Sequence, residues 1–256
     1  MKRYARMIPG MLLVLVLFVG CGLMHEHTWA EATCDAPRTC TECGETKGYA
    51  AGHNWTAATC VTPKICTSCA ETEGSALGHI ITEPTYNEEA VCPACGMVTG
   101  GKKTPGISFG IRDMVSGVYA SSVYSGDDLG VHRPENLYDG RLDTNWTENA
   151  PGNGVGEYVV FYLDSVYAVN KLRICIGSHF NEWVYKENCR PKALTLTFSD
   201  GSTQYIRLED TYDEQIITFD RFYYTDYIKI TIEEVYTGTK YLDTVIAELN
   251  FVAYQP

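Results

Sequence analysis

Cysteine and histidine recur along residues 25–100 at a constant phase, and that spacing describes metal chemistry. His27, His53 and His79 are 26 residues apart, as are Cys34 and Cys60. The same interval separates Cys40, Cys66 and Cys92, and again Cys43, Cys69 and Cys95. The residues between them repeat as well, so this segment is an array of three small units rather than one globular core. The third unit has Tyr86 where a cysteine belongs, which marks it as a degenerate cap or a weak site. Each unit has few large apolar residues (Trp29, Trp55, Ile65, Leu77), too few to fold without a staple.

Zn²⁺ is the expected staple. Three Cys and one His, two of the Cys in a C-x₂-C knuckle, suit a closed tetrahedral structural site with no open position for catalysis. One register groups Cys34, Cys40, Cys43 with His53, and Cys60, Cys66, Cys69 with His79; Cys92 and Cys95 form the third knuckle. A shifted register takes His27 and His53 as the fourth ligands instead. Disulfides are the alternative, since the eight repeat cysteines are even in number and disulfides persist outside the cytoplasm. Three cysteines cannot all pair within a unit, however, and a disulfide gives no reason for a histidine at the same phase each time. Zinc is therefore preferred, with the register left open.

A second oxygen-rich feature lies at Asp139, Gly140, Asp143 and Thr144, just ahead of Trp146. A hard cation such as Ca²⁺ takes six to eight oxygens, and a tight acidic turn offers several. The same residues also make an ordinary turn, because Asp and Thr side chains bond the local backbone.

The elements that position these groups begin with an N-terminal leader. Lys2, Arg3 and Arg6 precede an apolar run, Met11 to Val19, too short to span a bilayer as a mature helix. The run stops at Gly20-Cys21, and Phe-Val-Gly-Cys resembles a bacterial lipobox. Residues 1–21 are thus expected to be a lipoprotein signal peptide, with Cys21 acylated and the chain held on the extracytoplasmic face of a cell membrane by acyl chains alone. The formal charge is -12, and loss of the leader's three cations takes it to -15. A surface this acidic argues against nucleic acid or anionic lipid as a partner, since both select basic patches.

Residues 101–106 read as a linker, and from residue 107 to 256 the pattern is β. Leu172, Ile174 and Ile176; Leu194, Leu196 and Phe198; Ile228, Ile230 and Ile232; and Ala247, Leu249 and Phe251 each alternate with residues of the opposite face. Period-two alternation sets one face in a core and the other in water, as in an antiparallel sandwich. The expected fold class is mainly β: a jelly-roll β-sandwich preceded by small metal-stapled Cys/His repeats.

Three segments carry a resemblance: ENLYDGRLDTNWTENAPGNGVGEYV, then NCRPKALTLTFSDGSTQYIRLEDTYDEQ, then VYTGTKYLDTVIAELNF. Together they resemble the discoidin-type (coagulation factor 5/8 C-type), galactose-binding-like superfamily. More narrowly, they are similar to the glycan-binding domain that accompanies bacterial NAD-glycohydrolase toxins and occurs on lipoproteins. The resemblance implies a sandwich with ligand loops at one end, carbohydrate recognition and no catalysis. It also implies a structural Ca²⁺ held by Asp139, Asp143, Thr144 and Glu248. The Cys/His units resemble repeats found in surface proteins of Gram-positive gut bacteria.

A sugar offers apolar CH faces and a ring of hydroxyls, so its site pairs an exposed aromatic ring with carboxylates, amides or Arg in fixed geometry. Three loops have that mixture, and the candidates from them are Glu148, Trp183, Tyr185, Asn188, Arg190, Tyr241 and Asp243. Each has a plainer reading as a loop anchor, with Arg190 paired to Asp243 or Glu148. Cys175 and Cys189 flank the 176–188 loop and are expected to bridge. No G-x-S-x-G or H-E-x-x-H occurs, and Glu233-Glu234 are adjacent on a strand and point to opposite faces. The sequence reading is a non-catalytic carbohydrate-binding surface lipoprotein with the repeats as its stalk. The alternative is a structural lipoprotein that grips another envelope protein without glycan affinity.

Overall fold

Residues 25–126 and 130–256 are described in a computed structural model. The leader, including Cys21 and its lipobox, lies outside the described residues. The chain forms two units, Met1–His79 and Ile80–Pro256.

Among its described residues the first unit has five minimal strands: β1 (Trp29–Ala30), β2 (Arg38–Cys40), β3 (Thr46–Lys47), β4 (Lys64–Ile65) and β5 (Thr72–Glu73). β2 is the middle strand of a three-stranded antiparallel sheet, and β4 pairs β5 in the next repeat. Strands of two or three residues cannot enclose a core. What its described residues bury instead is sulfur: Cys34, Cys40, Cys60 and Cys66 are the buried ones of hydrophobic type among them.

The second unit opens with a short hairpin, β6 (Ala90–Val91) and β7 (Val98–Gly100). Helix α1 (Ile111–Met114) and β8 (Val115–Ala120) follow, then a 3-10 turn (Pro134–Tyr138) and β9 (Trp146–Thr147). The rest is β10 (Tyr158–Ile176), α2 (Glu182–Glu187), β11 (Arg190–Phe198), β12 (Thr203–Arg207), β13 (Gln215–Tyr236) and β14 (Val245–Tyr254).

Two long strands build the sandwich. β10 and β13 pair antiparallel almost end to end, with register breaks between Tyr162 and Tyr167 and between Val169 and Lys171. Before the first break β10 pairs β8 on its other edge, through Val159 to Leu163. Beyond it, that edge pairs β14, from Ala168 to Ile176. The sheet therefore bends at residues 163–166 and continues as a second layer, with β11 and β12 extending one layer and β14 and β9 the other.

The alternations seen in the sequence face inward. Leu172, Ile174, Ile176, Leu194, Leu196, Phe198, Ile228, Ile230, Ile232, Leu249 and Phe251 are all buried in one core. Phe161 and Phe251 meet edge to face across it, ring centroids 6.2 Å apart. The fold class is mainly β, as expected.

The third repeat belongs to this second unit. Tyr86 stands where the earlier repeats have Cys34 and Cys60. Its ring stacks on Phe222 at 4.7 Å, and its hydroxyl donates to the Gln255 carbonyl at 2.7 Å. Asn87 closes a two-way pair with the Phe222 backbone, Nδ2 donating at 2.8 Å and Oδ1 accepting at 3.0 Å. Tyr86 thus anchors the segment to the sandwich where a cysteine would have been a ligand.

Because Phe161 is fully buried between the layers, Phe161→Ala leaves a cavity. It should cost about 3–5 kcal/mol, read as a lowered urea midpoint with an unchanged slope.

Candidate functional sites

In the first unit two clusters bring four ligand atoms each within 4.8 Å of one another: His25, His27, Cys40 and Cys43, and Cys34, His53, Cys66 and Cys69. The ten described cysteines are all unbridged, so the disulfide alternative for the repeats is not formed. Neither is the grouping of Cys34, Cys40, Cys43 with His53, nor that of Cys60, Cys66, Cys69 with His79. The pairing of Trp29 with Cys40 lays the segment holding His27 beside the first knuckle. A bridge between Trp55 and Cys66 does the same for His53 at the second. Each histidine therefore meets the C-x₂-C that follows it, as in the shifted register. The third cysteine of the second cluster, Cys34, comes from the preceding repeat.

The distances suit a tetrahedral metal. With Zn–S near 2.3 Å and Zn–N near 2.0–2.1 Å, the edges of a tetrahedron are about 3.8 Å for S···S and about 3.6 Å for N···S. Cys34 Sγ lies 3.6 Å from Cys66 Sγ, and His53 Nδ1 lies 3.4 Å from Cys69 Sγ. His27 Nδ1 is 3.6 Å from Cys43 Sγ, and His25 Nε2 is 3.7 Å from Cys40 Sγ.

The outward ring nitrogens are held by carboxylates, as metal-bound imidazoles usually are. His53 Nε2 meets Asp35 Oδ1 at 2.9 Å, and His27 Nε2 meets Glu45 Oε2 at 3.4 Å. Trp29 and Trp55 stack on His27 and His53 at 5.1 and 4.7 Å. The backbone amides of Cys43 and Glu42, with His25, draw the Cys40 thiol down to about 5. Burial works against Cys66, yet the amides of Cys69 and Ser68 outweigh it and bring that thiol to about 5. Both thiols are thus ready to serve as thiolates, the form that binds metal. In the second unit Cys92 and Cys95 form a third knuckle, with Gly96 N donating to the Cys92 carbonyl at 2.7 Å.

At the loop end of the sandwich lies a hollow of about 220 Å³, lined in part by Tyr124, His132, Asn145, Asn188, Tyr241 and Asp243. Thr147 and Ser178 complete its polar wall. Thr147 Oγ1 donates to Asn145 Oδ1 at 2.7 Å, and His132 Nδ1 lies 2.8 Å from the same oxygen. An amide oxygen can only accept, so His132 Nδ1 donates to it. Tyr124 packs edge-on against His132 at 5.2 Å. Lys240 lies over the Tyr241 ring at 4.6 Å.

Of the seven sugar-site candidates, Asn188, Tyr241 and Asp243 line this hollow. Trp183 lies one residue before Val184, another lining residue, and is 76% exposed, its Nε1 donating to Glu187 Oε1 at 3.0 Å. The other three are anchors. Glu148 is fully buried and accepts from the amides of Thr244 and Ala150 at 2.8 and 2.7 Å, fixing the two rim loops to each other. Arg190 is buried and forks onto Asp210 at 2.8 and 2.9 Å, so its partner is neither Asp243 nor Glu148. The Tyr185 hydroxyl donates to that same Asp210 at 2.9 Å. Sequence reading missed Tyr124, His132, Asn145, Thr147 and Ser178. They come from four segments with no shared motif, Thr147 on β9 two residues after Asn145, and His132 alone was visible, as one of two histidines outside the repeats. The 176–188 loop also contains α2, capped by Asn181 Oδ1 accepting from Val184 N at 2.9 Å.

The expected Cys175–Cys189 bridge is absent, and both thiols are buried and free. Cys175 stands opposite Glu248 on β14, while the Cys189 sulfur donates to the Tyr241 carbonyl and accepts from Gly238 N at 3.3 Å. Each thiol is thereby committed to a different neighbour.

The acidic turn does not converge on a cation. Asp143 is paired with Arg141 at 2.7 Å, and Asp139 accepts from Thr144 Oγ1 at 2.7 Å and Arg141 N at 2.8 Å. Both Glu248 oxygens accept from Gly140 N, at 3.1 and 3.2 Å. Asp139, Asp143 and Glu248 are not among the groups of described residues whose ligand atoms could share a metal. The residues present do not fit Ca²⁺.

Burial pushes the Glu248 carboxyl up to about 7, with Asp139 adding to the effect and the Gly140 amide opposing it. A carboxyl raised in the folded state binds more protons there than in the unfolded chain, so stability falls as pH rises. The window runs from the ordinary value of 4.5 to about 7. Glu248→Gln should flatten the fall in melting temperature across that window, measured by calorimetry at several pH values.

A family model described as the NAD glycohydrolase translocation F5/8 type C domain matches residues 111–252. No curated protein sequence matches the chain. Among solved structures it is similar to the family 32 carbohydrate-binding module of Clostridium perfringens NanJ in complex with galactose. Identity there is 19% over 57% of this chain and 99% of that one, with a TM-score of 0.42. A second Clostridium perfringens family 32 module, in complex with GalNAc-β-1,3-galactose, matches at 16% identity over 55% and 96%, with a TM-score of 0.43. The F5/8 type C domain of a Bacteroides fragilis protein matches at 16% over 55% and 92%, with a TM-score of 0.42. With more than half of its length covered by the family model, the chain belongs to the NAD glycohydrolase translocation F5/8 type C domain family.

Proposed function

We propose that the sandwich is a non-catalytic glycan-binding module, carried on zinc-stapled repeats that serve as its stalk and tethered outside the cytoplasm through acylated Cys21. The observation that carries this reading is the hollow at the loop end. Two tyrosine rings, Tyr124 and Tyr241, stand there beside a carboxylate, two amides, two hydroxyls and a histidine. Aromatic faces take the CH side of a sugar, while Asp243, Asn188 and the His132 ring meet its hydroxyls.

Size and charge support the same reading. Pockets for drug-sized ligands span about 300–1,000 Å³, whereas this hollow is about 220 Å³ and fits one terminal sugar ring. The exposed Trp183 ring could carry a second ring beside it. Among the described lining residues Asp243 is the single carboxylate, whereas most glycoside hydrolysis takes a pair. The described lining residues include no Lys or Arg, which disfavours a phosphorylated or sulfated ligand.

The test is a glycan array with residues 22–256, followed by titration of the best hit against variants. Tyr241→Ala and His132→Ala should each weaken binding at least about tenfold, roughly 1.4 kcal/mol, with the melting temperature retained. A blank array, together with capture of one envelope protein by the same fragment, would replace this reading with the protein-binding alternative.

A further inference from the structure

We infer that the metal beyond the first knuckle of this stalk joins one repeat to the next instead of closing each one, and that the first knuckle is a separate Cys₂His₂ site, within the first repeat, completed by His25. The inference rests on the zinc reading above and adds the ligand sets. Cys34 belongs to the repeat that begins at His27, yet its sulfur meets Cys66, Cys69 and His53 of the next repeat. Its neighbour Asp35 reaches across the same junction to orient His53. A Cys₃His metal there ties the two repeats together, so a loop from one is fixed on the knuckle of the other.

The same rule leaves the first knuckle one ligand short. The residue 26 positions before Cys34 is Ile8, so no cysteine stands in phase upstream. His25 fills the gap. In an extended segment residues two apart point to one side, and His25 and His27 do so, with ring centroids 4.5 Å apart. Both turn their ring nitrogens to the sulfurs of Cys40 and Cys43. Four protein ligands make a closed site, so its role is structural, and borderline-soft Zn²⁺ suits two imidazoles and two thiolates.

The experiment counts zinc by native mass spectrometry on residues 22–256 and records the thiolate-to-metal charge-transfer band after cobalt exchange. Cys34→Ser and Cys43→Ser should each lose one zinc, and the double variant two, because the residues lie in different sites. If they shared one site, as a single-repeat register requires, the double variant would lose only one, and the inference falls. His25→Ala should lose the same zinc as Cys43→Ser, so their double variant loses one. His25→Cys should keep the metal and raise the cobalt–thiolate intensity of that site by half. A His25→Ala protein with full zinc content would remove His25 from the site. Wild-type protein with no zinc and oxidised thiols would instead overturn the zinc reading itself.

A different observation carries a second proposal: a guanidinium takes the place of calcium at the Asp139–Thr144 turn. Arg112, on α1, donates through Nε to the Tyr138 carbonyl at the start of the turn. A Cβ at position 140 would collide with that guanidinium, so Arg112 lies directly over Gly140, whose amide is held by Glu248. Residue 140 also has φ +77°, which glycine adopts without strain. The fixed cation stands where a hard ion would have neutralised the carboxylates.

Calorimetry on wild-type protein in millimolar calcium and in EGTA should give one melting temperature. Arg112→Gln should lower it by several degrees in both. A wild-type melting temperature that climbs with calcium concentration would show a bound ion and end this proposal, whether or not the variant folds.

Discussion

The bend shared by β10 and β13 is the constraint on which the sandwich depends. Two strands of 19 and 22 residues run past each other through the corner, so one continuous ladder supplies both layers. A register break after Tyr162 lets the edge partner of β10 change from β8 to β14 without leaving a long unpaired edge. The apolar faces then meet, and Phe161 on one side of the corner packs against Phe251 on the other. Hydrophobic burial provides the driving force; the continuous backbone pairing decides which faces meet.

That frame leaves the loop end to be organised by polar anchors. Glu148 fastens the loop after β9 to the start of β14, and the Arg190–Asp210–Tyr185 group fastens α2 to the loop between β12 and β13. Glu148 and Arg190 are buried charges whose hydrogen bonds are met, and removing a partner would leave them uncompensated. Their work is to hold the hollow open while Tyr241, Asp243 and Asn188 remain at its wall. Anchor and wall residues have the same chemistry, Glu, Arg and Tyr against Asp, Asn and Tyr. Composition alone could not separate them.

The strands were legible because a period of two is a strong local signal, and the alternating residues read from the sequence lie in the core except Ala247, where a register shift puts Ile246 there instead. Trp146 likewise lies in the core, its Nε1 satisfied by the Ser122 carbonyl at 2.9 Å. The ligand wall was only half legible. Asn188, Tyr241 and Asp243 lie in polar-aromatic stretches, but Tyr124, His132 and the Asn145–Thr147 segment meet them only through the fold. The Cys175–Cys189 expectation failed for a related reason. Spacing along the chain says nothing about where two buried sulfurs point, and each of these is packed against a different strand or loop.

The stalk shows how a repeat hides its own register. When every ligand recurs at one interval, a set drawn from within a unit and a set drawn across two units have the same periodicity. Only the ends of the array differ. At the start, no cysteine lies 26 positions before Cys34, and a histidine two residues from His27 occupies the vacancy beside Cys40. At the far end, the position in phase with Cys34 and Cys60 is Tyr86, whose ring is committed to Phe222 and whose backbone amide donates to the Tyr224 hydroxyl at 2.9 Å. A ligand set confined to one unit would make Tyr86 a defect in the third repeat. A set that reaches forward makes it a terminus, because no fourth knuckle follows for a cysteine there to serve.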